Sequence, residues 1–140
     1  MSALTTDFYA WTLEQADLLR RKAWSELDVQ SLADEIESIG YRERRELVSR
    51  LEVLLVHLLK WKYQPELRCG SWRASIDETR SRIEDILADS PSLRPYPEEY
   101  LARTYARAAI RTARETGLVA VPNVCPWTVE QILDKEWLPE

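Results

Sequence analysis

Histidine occurs once in this chain, at position 57; cysteine occurs twice and glycine three times in 140 residues. One histidine and two separated cysteines, Cys69 and Cys125, supply too few ligands for a structural zinc site. No metal or cofactor is expected. Three glycines leave neither a phosphate loop nor a dinucleotide fingerprint. No run of about 18 apolar residues is present, so no transmembrane helix is expected. The start, Met1 to Asp7, has neither a basic region nor an apolar stretch, so no signal peptide is read and the cytoplasm is the expected location. Both thiols are expected to be reduced there.

Hydrophobic residues make up 45% and charged residues 31%, the balance of a folded globular chain, and the length suits one domain spanning 1–140. Acidic residues outnumber basic ones by 24 to 19, a net charge of -5. That argues against a dedicated nucleic-acid binder, while leaving room for a local basic patch. Six tryptophans and six tyrosines are a generous apolar supply for a core of this size, which points to self-association as a two-fold homodimer. Tyr9 and Leu13, or the tail from Trp127 to Trp137, are the candidate faces.

Periodicity predicts helix almost throughout. Asp7 is placed to cap a first helix with Phe8, Trp11, Gln15, Leu18 and Leu19 in phase. Asp28 is placed to cap a second, with Leu32, Ile36 and Ile39 on its apolar face and Gly40 as a stop or kink. In the third, Leu47, Leu51, Leu54, Leu58 and Trp61 advance by four and three, the seam of a helix packed lengthwise, and Pro65 closes it. Ser71 is placed to cap a fourth, with Trp72, Ile76, Thr79, Ile83 and Ile86 or Leu87 inward and Asp77, Arg80 and Glu84 outward. Three prolines between Ser90 and Pro97 predict a fixed crossover anchored by Leu93 and Tyr96. A fifth helix runs from Pro97 or Glu98 to Glu115 and stops at Gly117. Its Ala102, Ala106, Ala109 and Ala113 form a strip on which a neighbouring helix could seat. Thr128 and Gln131 form a capping-box pattern for a short last helix. No segment alternates as a strand does. The predicted fold is an all-α bundle of about five main helices plus a short C-terminal one. Leu51, Leu54, Leu58, Trp61, Trp72, Ile76 and Ile83 are expected to share one buried cluster.

Several motifs together carry a family likeness. They are Asp7-Phe8-Tyr9-Ala10-Trp11, Asp34-Glu35-Ile36-Glu37-Ser38-Ile39-Gly40, Leu54-Leu55-Val56-His57-Leu58-Leu59-Lys60-Trp61, Gln64-Pro65, Ser71-Trp72-Arg73, Ser90-Pro91-Ser92-Leu93, Glu115-Thr116-Gly117-Leu118 and Cys125-Pro126-Trp127. With these the chain resembles the bacterial family called domain of unknown function 29 over nearly its whole length. Asp34 stands where that family usually has glutamate. The resemblance implies a compact, all-helical fold and no particular activity.

Chemistry-bearing residues are sparse. His57 and Arg50 lie seven apart on the third helix, about two turns, and therefore on one face. That spacing is similar to the loose motif of the HEPN ribonucleases, in which the likeness implies an arginine and a histidine acting on RNA phosphodiesters. The polar residue usual after the arginine is Leu51 here. The alternative for His57 is a histidine bonded between helices. Asp34, Glu35 and Glu37 read as a solvated or salt-bridged face, because the Glu-x-x-His pair of a bundle metal site is missing: Leu54 precedes His57 by three. Arg103, Arg107, Arg111 and Arg114 form a stripe on the fifth helix that could meet this acidic set within one molecule or between two. Lys60, Lys62, Arg68 and Arg73 are interleaved with Trp61, Tyr63 and Trp72, the combination a single-stranded nucleic acid needs. Yet Trp61 and Trp72 fall on apolar faces. No usual catalytic constellation assembles, and the residues favour binding over catalysis. The expected function is that of a small partner-binding protein, such as a regulator or antitoxin-like module, with Arg103, Arg107, Arg111, Arg114, Lys60, Lys62 and Arg73 as candidate interaction residues. The alternative is RNA cleavage by Arg50 and His57.

Overall fold

A computed structural model describes residues 6–118 and 121–140. Met1 to Thr5, most of the start read for a leader, lie outside the described residues. Among those residues the chain is helical and holds no strand. Six α-helices follow in order: α1 Phe8–Arg20, α2 Val29–Tyr63, α3 Gly70–Asp89, α4 Tyr96–Glu99, α5 Leu101–Thr116 and α6 Val129–Leu133. Short 3-10 turns at Trp24–Glu26, Pro65–Leu67 and Pro91–Leu93 join them. The chain divides into two compact units, Met1–Arg42 and Glu43–Glu140, and α2 runs continuously from the first into the second.

In the first unit, Asp7 caps α1 as expected, its carboxylate accepting from the Ala10 amide at 3.0 Å. Trp11, Gln15 and Leu18 are buried, whereas Phe8 and Leu19 stay exposed. Gln15 belongs in the seam for a polar reason: its side-chain oxygen accepts from the Asp28 amide at 2.9 Å. The Asp28 carboxylate in turn accepts from the Ser31 amide and the Trp11 indole, each at 3.4 Å. A buried glutamine therefore fixes the start of α2. The stop expected at Gly40 is not there. α2 spans 35 residues and continues through it. Gly40 has no positive φ. Its cost of about 1 kcal/mol relative to alanine is small beside a helix this long. The expected apolar face also fails in this unit, for Ile36 and Ile39 are 67% and 62% exposed.

In the second unit the heptad seam of α2 is the centre of the core. Leu47, Leu51, Leu54, Leu55, Leu58 and Leu59 are buried with Ile76, Ile83, Ile86 and Leu87 of α3, Tyr105 and Ala108 of α5, and Ile132 of α6. Trp61 packs against this cluster, but Trp72 is only half-buried and lies outside it. Trp72 sits in the first turn of α3, before that helix's buried stripe begins at Ile76. Ser71 does not cap α3, which starts at Gly70 with Cys69 in the cap position and no side-chain cap bond. Leu93 and Tyr96 anchor the proline crossover on the core as expected. Tyr100 breaks the expected fifth helix into α4 and α5. Gly117 ends α5 in the left-handed region, φ 76°, its amide donating to the Ala113 carbonyl at 2.8 Å. The Thr128–Gln131 capping box forms in both directions, at 3.0 and 3.1 Å.

Two inward faces differ from expectation. On α5, Ala102 and Ala106 are exposed, and the helix buries Thr104, Tyr105, Ala108 and Thr112 instead. Tyr105 removes far more surface from water than any alanine, so the helix turns that side inward. On α3, Arg80 is not outward. It is 2% exposed, and its Nε donates to the Ile132 carbonyl at 2.8 Å, tying α6 to α3. The ion pairs of that helix among the described residues are Arg73 with Asp77, Arg82 with Glu46 and Glu84 with Lys135.

Candidate functional site

His57 is half-buried on α2, and its Nδ1 donates to the Val53 carbonyl one turn back at 2.9 Å. A carbonyl can only accept, so this bond places the ring proton on Nδ1. Arg50 lies 3.8 Å from Glu46 in a half-exposed ion pair. Neither residue lines any groove described below.

Of the four cations interleaved with aromatics, Lys60, Arg68 and Arg73 are engaged within the chain. Lys60 Nζ lies 2.8 Å from Glu115, and this hydrogen bond is the main reason the Glu115 carboxyl falls below its ordinary value. Arg68 donates to the Trp61 carbonyl at 2.7 Å and lies 4.9 Å from the Trp61 ring. Arg73 pairs with Asp77 at 3.2 Å. These contacts tie α2 to α5 through Lys60, hold the turn after α2 to its last turn through Arg68, and stay within α3 for Arg73. Of the two unpaired cysteines, Cys69 is exposed, and a hydrogen bond with the Ser71 hydroxyl at 3.3 Å pulls its thiol down. Burial pushes the Cys125 thiol up.

The arginine stripe of α5 is exposed along its length. It divides in two. Arg111 pairs with Glu52 of α2 at 3.6 Å and with Glu115 at 3.2 Å. Arg103 and Arg107 instead converge with Arg44 and Arg45 of α2 on an open groove of about 370 Å³, completed by Val48 and Tyr100. No carboxylate lines it. Tyr96 and Tyr100 stack at 5.5 Å, with Arg44 at 5.6 Å from the first ring and Arg103 at 5.6 Å from the second. These contacts hold two of the four guanidinium groups in place. Arg114 lies outside the groove. Within the first unit, Glu37 of the acidic set accepts from the Tyr41 hydroxyl at 3.3 Å.

Exposed apolar surface is concentrated in the first unit. Phe8, Tyr9, Leu13, Leu19, Trp24, Val29, Ile36, Ile39 and Tyr41 are exposed there, against Leu67, Ile110 and Val124 among the described residues of the second. Phe8, Leu19, Ile36 and Ile39 line a groove of about 360 Å³ between α1 and the first turns of α2, with Glu35 and Arg42 on its edge. In the tail, Trp127 and Trp137 pack edge to face at 5.7 Å and lie against the core.

The family model for the domain of unknown function DUF29 matches residues 4–138. The chain belongs to the DUF29 family. No curated protein and no solved structure matches it. For this DUF29 member the match spans both compact units and assigns no activity. No helix among the described residues is long and apolar enough to cross a membrane. Nor do three or more His, Cys, Asp or Glu side chains among them gather as a metal site would require.

Sequence reasoning singled out Arg103 and Arg107 but missed Arg44, Arg45 and Tyr100. Their only local signal is two adjacent arginines just before the leucine seam of α2.

Proposed function

We propose that this chain is a non-catalytic binding protein that holds an acidic segment of a protein partner in the groove of Arg44, Arg45, Arg103 and Arg107. One observation carries the reading: four guanidinium groups from two helices line a single concavity that contains no carboxylate. Guanidinium forks match carboxylates in pairs, so an extended acidic peptide can bridge α2 and α5. Nucleic acid fits less well. Tyr96 and Tyr100 already stack on each other beside two guanidinium groups, which leaves little ring surface for a base. The net charge of -5 also opposes a polyanion as long as an RNA strand. The family match across both units supports one functional module over the whole chain. Two unpaired cysteines suit a reducing cytoplasm.

The test is fluorescence anisotropy with a labelled oligoglutamate peptide and a labelled oligothymidylate. The peptide should bind, more weakly as salt rises, and lose about tenfold or more in affinity in the Arg103→Glu/Arg107→Glu variant. Tighter binding of the oligonucleotide, lost in the same variant, would replace this reading with a nucleic-acid one.

A second observation favours a homodimer as well. The groove between α1 and α2 presents Ile36 and Ile39 to solvent, and Glu35 and Arg42 lie seven residues apart on its edge, on one flank of α2. An antiparallel second copy centred near Ile39 would set each Glu35 against Arg42 of the other copy, the self-complementary pairing of a two-fold interface. A stable contact buries about 1,200 Å² or more. Ile36→Glu/Ile39→Glu should convert the dimer to monomer in sedimentation. A wild-type protein that sediments as monomer at tens of micromolar ends this part of the reading.

A further inference from the structure

Where α5 meets the acids of this chain, charge is balanced locally. Arg111 lies 3.6 Å from Glu52 and 3.2 Å from Glu115, and Lys60 shares Glu115 at 2.8 Å. One turn earlier on the same helix the situation reverses. Arg107 enters a groove with Arg103, Arg44 and Arg45, and no carboxylate lines its wall. Arg44 and Arg103 lie over the stacked rings of Tyr96 and Tyr100, each at 5.6 Å. A ring face orients a guanidinium but carries no net charge, so the positive charge of the groove stays concentrated. Arg45, Arg103 and Arg107 are exposed, which puts that charge within reach of a ligand.

Concentrated cations are matched best by a concentrated anion. In an extended segment successive side chains point to opposite sides, so only every second carboxylate can enter a groove, about 7 Å from the next. Each brings one charge and two oxygens, enough for one guanidinium edge. A phosphoserine or phosphothreonine brings nearly two charges and three acceptor oxygens on a single side chain. At the middle of this concavity one phosphoryl group can accept from guanidinium groups of α2 and α5 together.

We propose that the acidic segment held in this groove is a phosphorylated one, with its phosphoserine or phosphothreonine placed between Arg44 and Arg45 of α2 and Arg103 and Arg107 of α5. The inference rests on the groove reading above and narrows it: flanking carboxylates keep the segment acidic, and the phosphoryl dianion supplies the specificity. The chain's net charge of -5 works against a long polyanion far more than against one compact dianion. A lipid headgroup carries the same phosphoryl chemistry. Of the lining residues, however, only Val48 is aliphatic, and it is half-buried, so the groove offers no apolar side chain to enter a bilayer.

The test is fluorescence anisotropy of the full chain with short labelled glutamate–glycine peptides that differ only at the central residue: phosphoserine, glutamate or serine. The phosphoserine peptide should bind about tenfold more tightly than the glutamate peptide, and the serine peptide most weakly. Arg45→Gln/Arg107→Gln removes one exposed guanidinium from each helix, and should shrink that advantage to about twofold or less. Equal binding of the phosphoserine and glutamate peptides overturns this inference and leaves the groove reading standing. Failure of both peptides to bind, or binding unchanged in Arg103→Glu/Arg107→Glu, overturns both. An advantage undiminished in Arg45→Gln/Arg107→Gln overturns the inference by placing the phosphoryl group elsewhere. Inorganic phosphate that binds as tightly as the phosphoserine peptide overturns it by marking a free-anion site. Tighter binding to phosphatidylcholine vesicles containing a phosphoinositide overturns it by marking a lipid site.

Discussion

Arg80 of α3 and Ile132 of α6 are joined by a buried hydrogen bond, guanidinium Nε to main-chain carbonyl, at 2.8 Å. The bond links residues 52 positions apart and fastens the C-terminal helix to the core. Arg80→Leu removes a costly buried charge but strands that carbonyl. We expect the stranded acceptor to dominate, with a loss of about 1–3 kcal/mol in chemical denaturation. A gain in stability would show that burying the charge costs more than the bond returns.

Leu54 is fully buried in the α2 seam among leucines and isoleucines. Leu54→Ala should cost about 2–5 kcal/mol through lost burial and a residual cavity. An unchanged thermal midpoint would contradict the packing described for the second unit.

Tyr105 donates its hydroxyl to the Pro122 carbonyl at 2.7 Å, and burial pushes its phenol up to about 12 from an ordinary 10. A folded-state value above the unfolded one means stability is fully present below pH 10 and is lost as pH rises towards 12. Ultraviolet titration should show one tyrosine ionising late, and Tyr105→Phe should remove that phase.

Glu115 behaves in the opposite sense. Its carboxyl is held below the ordinary 4.5, chiefly by the Lys60 hydrogen bond and further by Arg111. Its contribution is therefore present above that value and lost as pH falls through the folded-state one. Lys60→Met should flatten the acid limb of the stability profile by lowering stability at neutral pH while leaving it little changed at the acid end. An acid limb of unaltered slope would contradict the pairing.

The legible parts of this fold were those governed by local rules. The α2 seam shows in sequence because leucines spaced four and three have one way to leave water together. Asp7, Asp28 and Thr128 were legible as caps, because a short polar side chain before an apolar run satisfies otherwise unpaired amides. Gly40 misled because a stop signal is only as strong as its left-handed backbone, and the surrounding helix never adopts it. Arg80 was misassigned outward by residue type alone, although it stands four after Ile76 and three before Ile83, squarely in the inward stripe. The alanine strip drew attention from the face carrying Tyr105, whose two threonine neighbours blur its period. The arginine groove depends on α2 and α5 meeting in space, and no pattern within either helix announces that. In the candidate site, Arg103 and Arg107 were visible from their spacing, whereas Arg44 and Arg45 became partners only through the packing.

The most direct measurement for the arginine groove compares oligoglutamate with oligolysine on wild-type protein and on Arg103→Glu/Arg107→Glu. Both positions are exposed on α5, so the variant should keep its helix content. Wild type should prefer oligoglutamate and the variant should lose or invert that preference, because half of the groove's cations become anions. An unchanged preference in a folded variant would contradict the assignment of the groove as the binding surface.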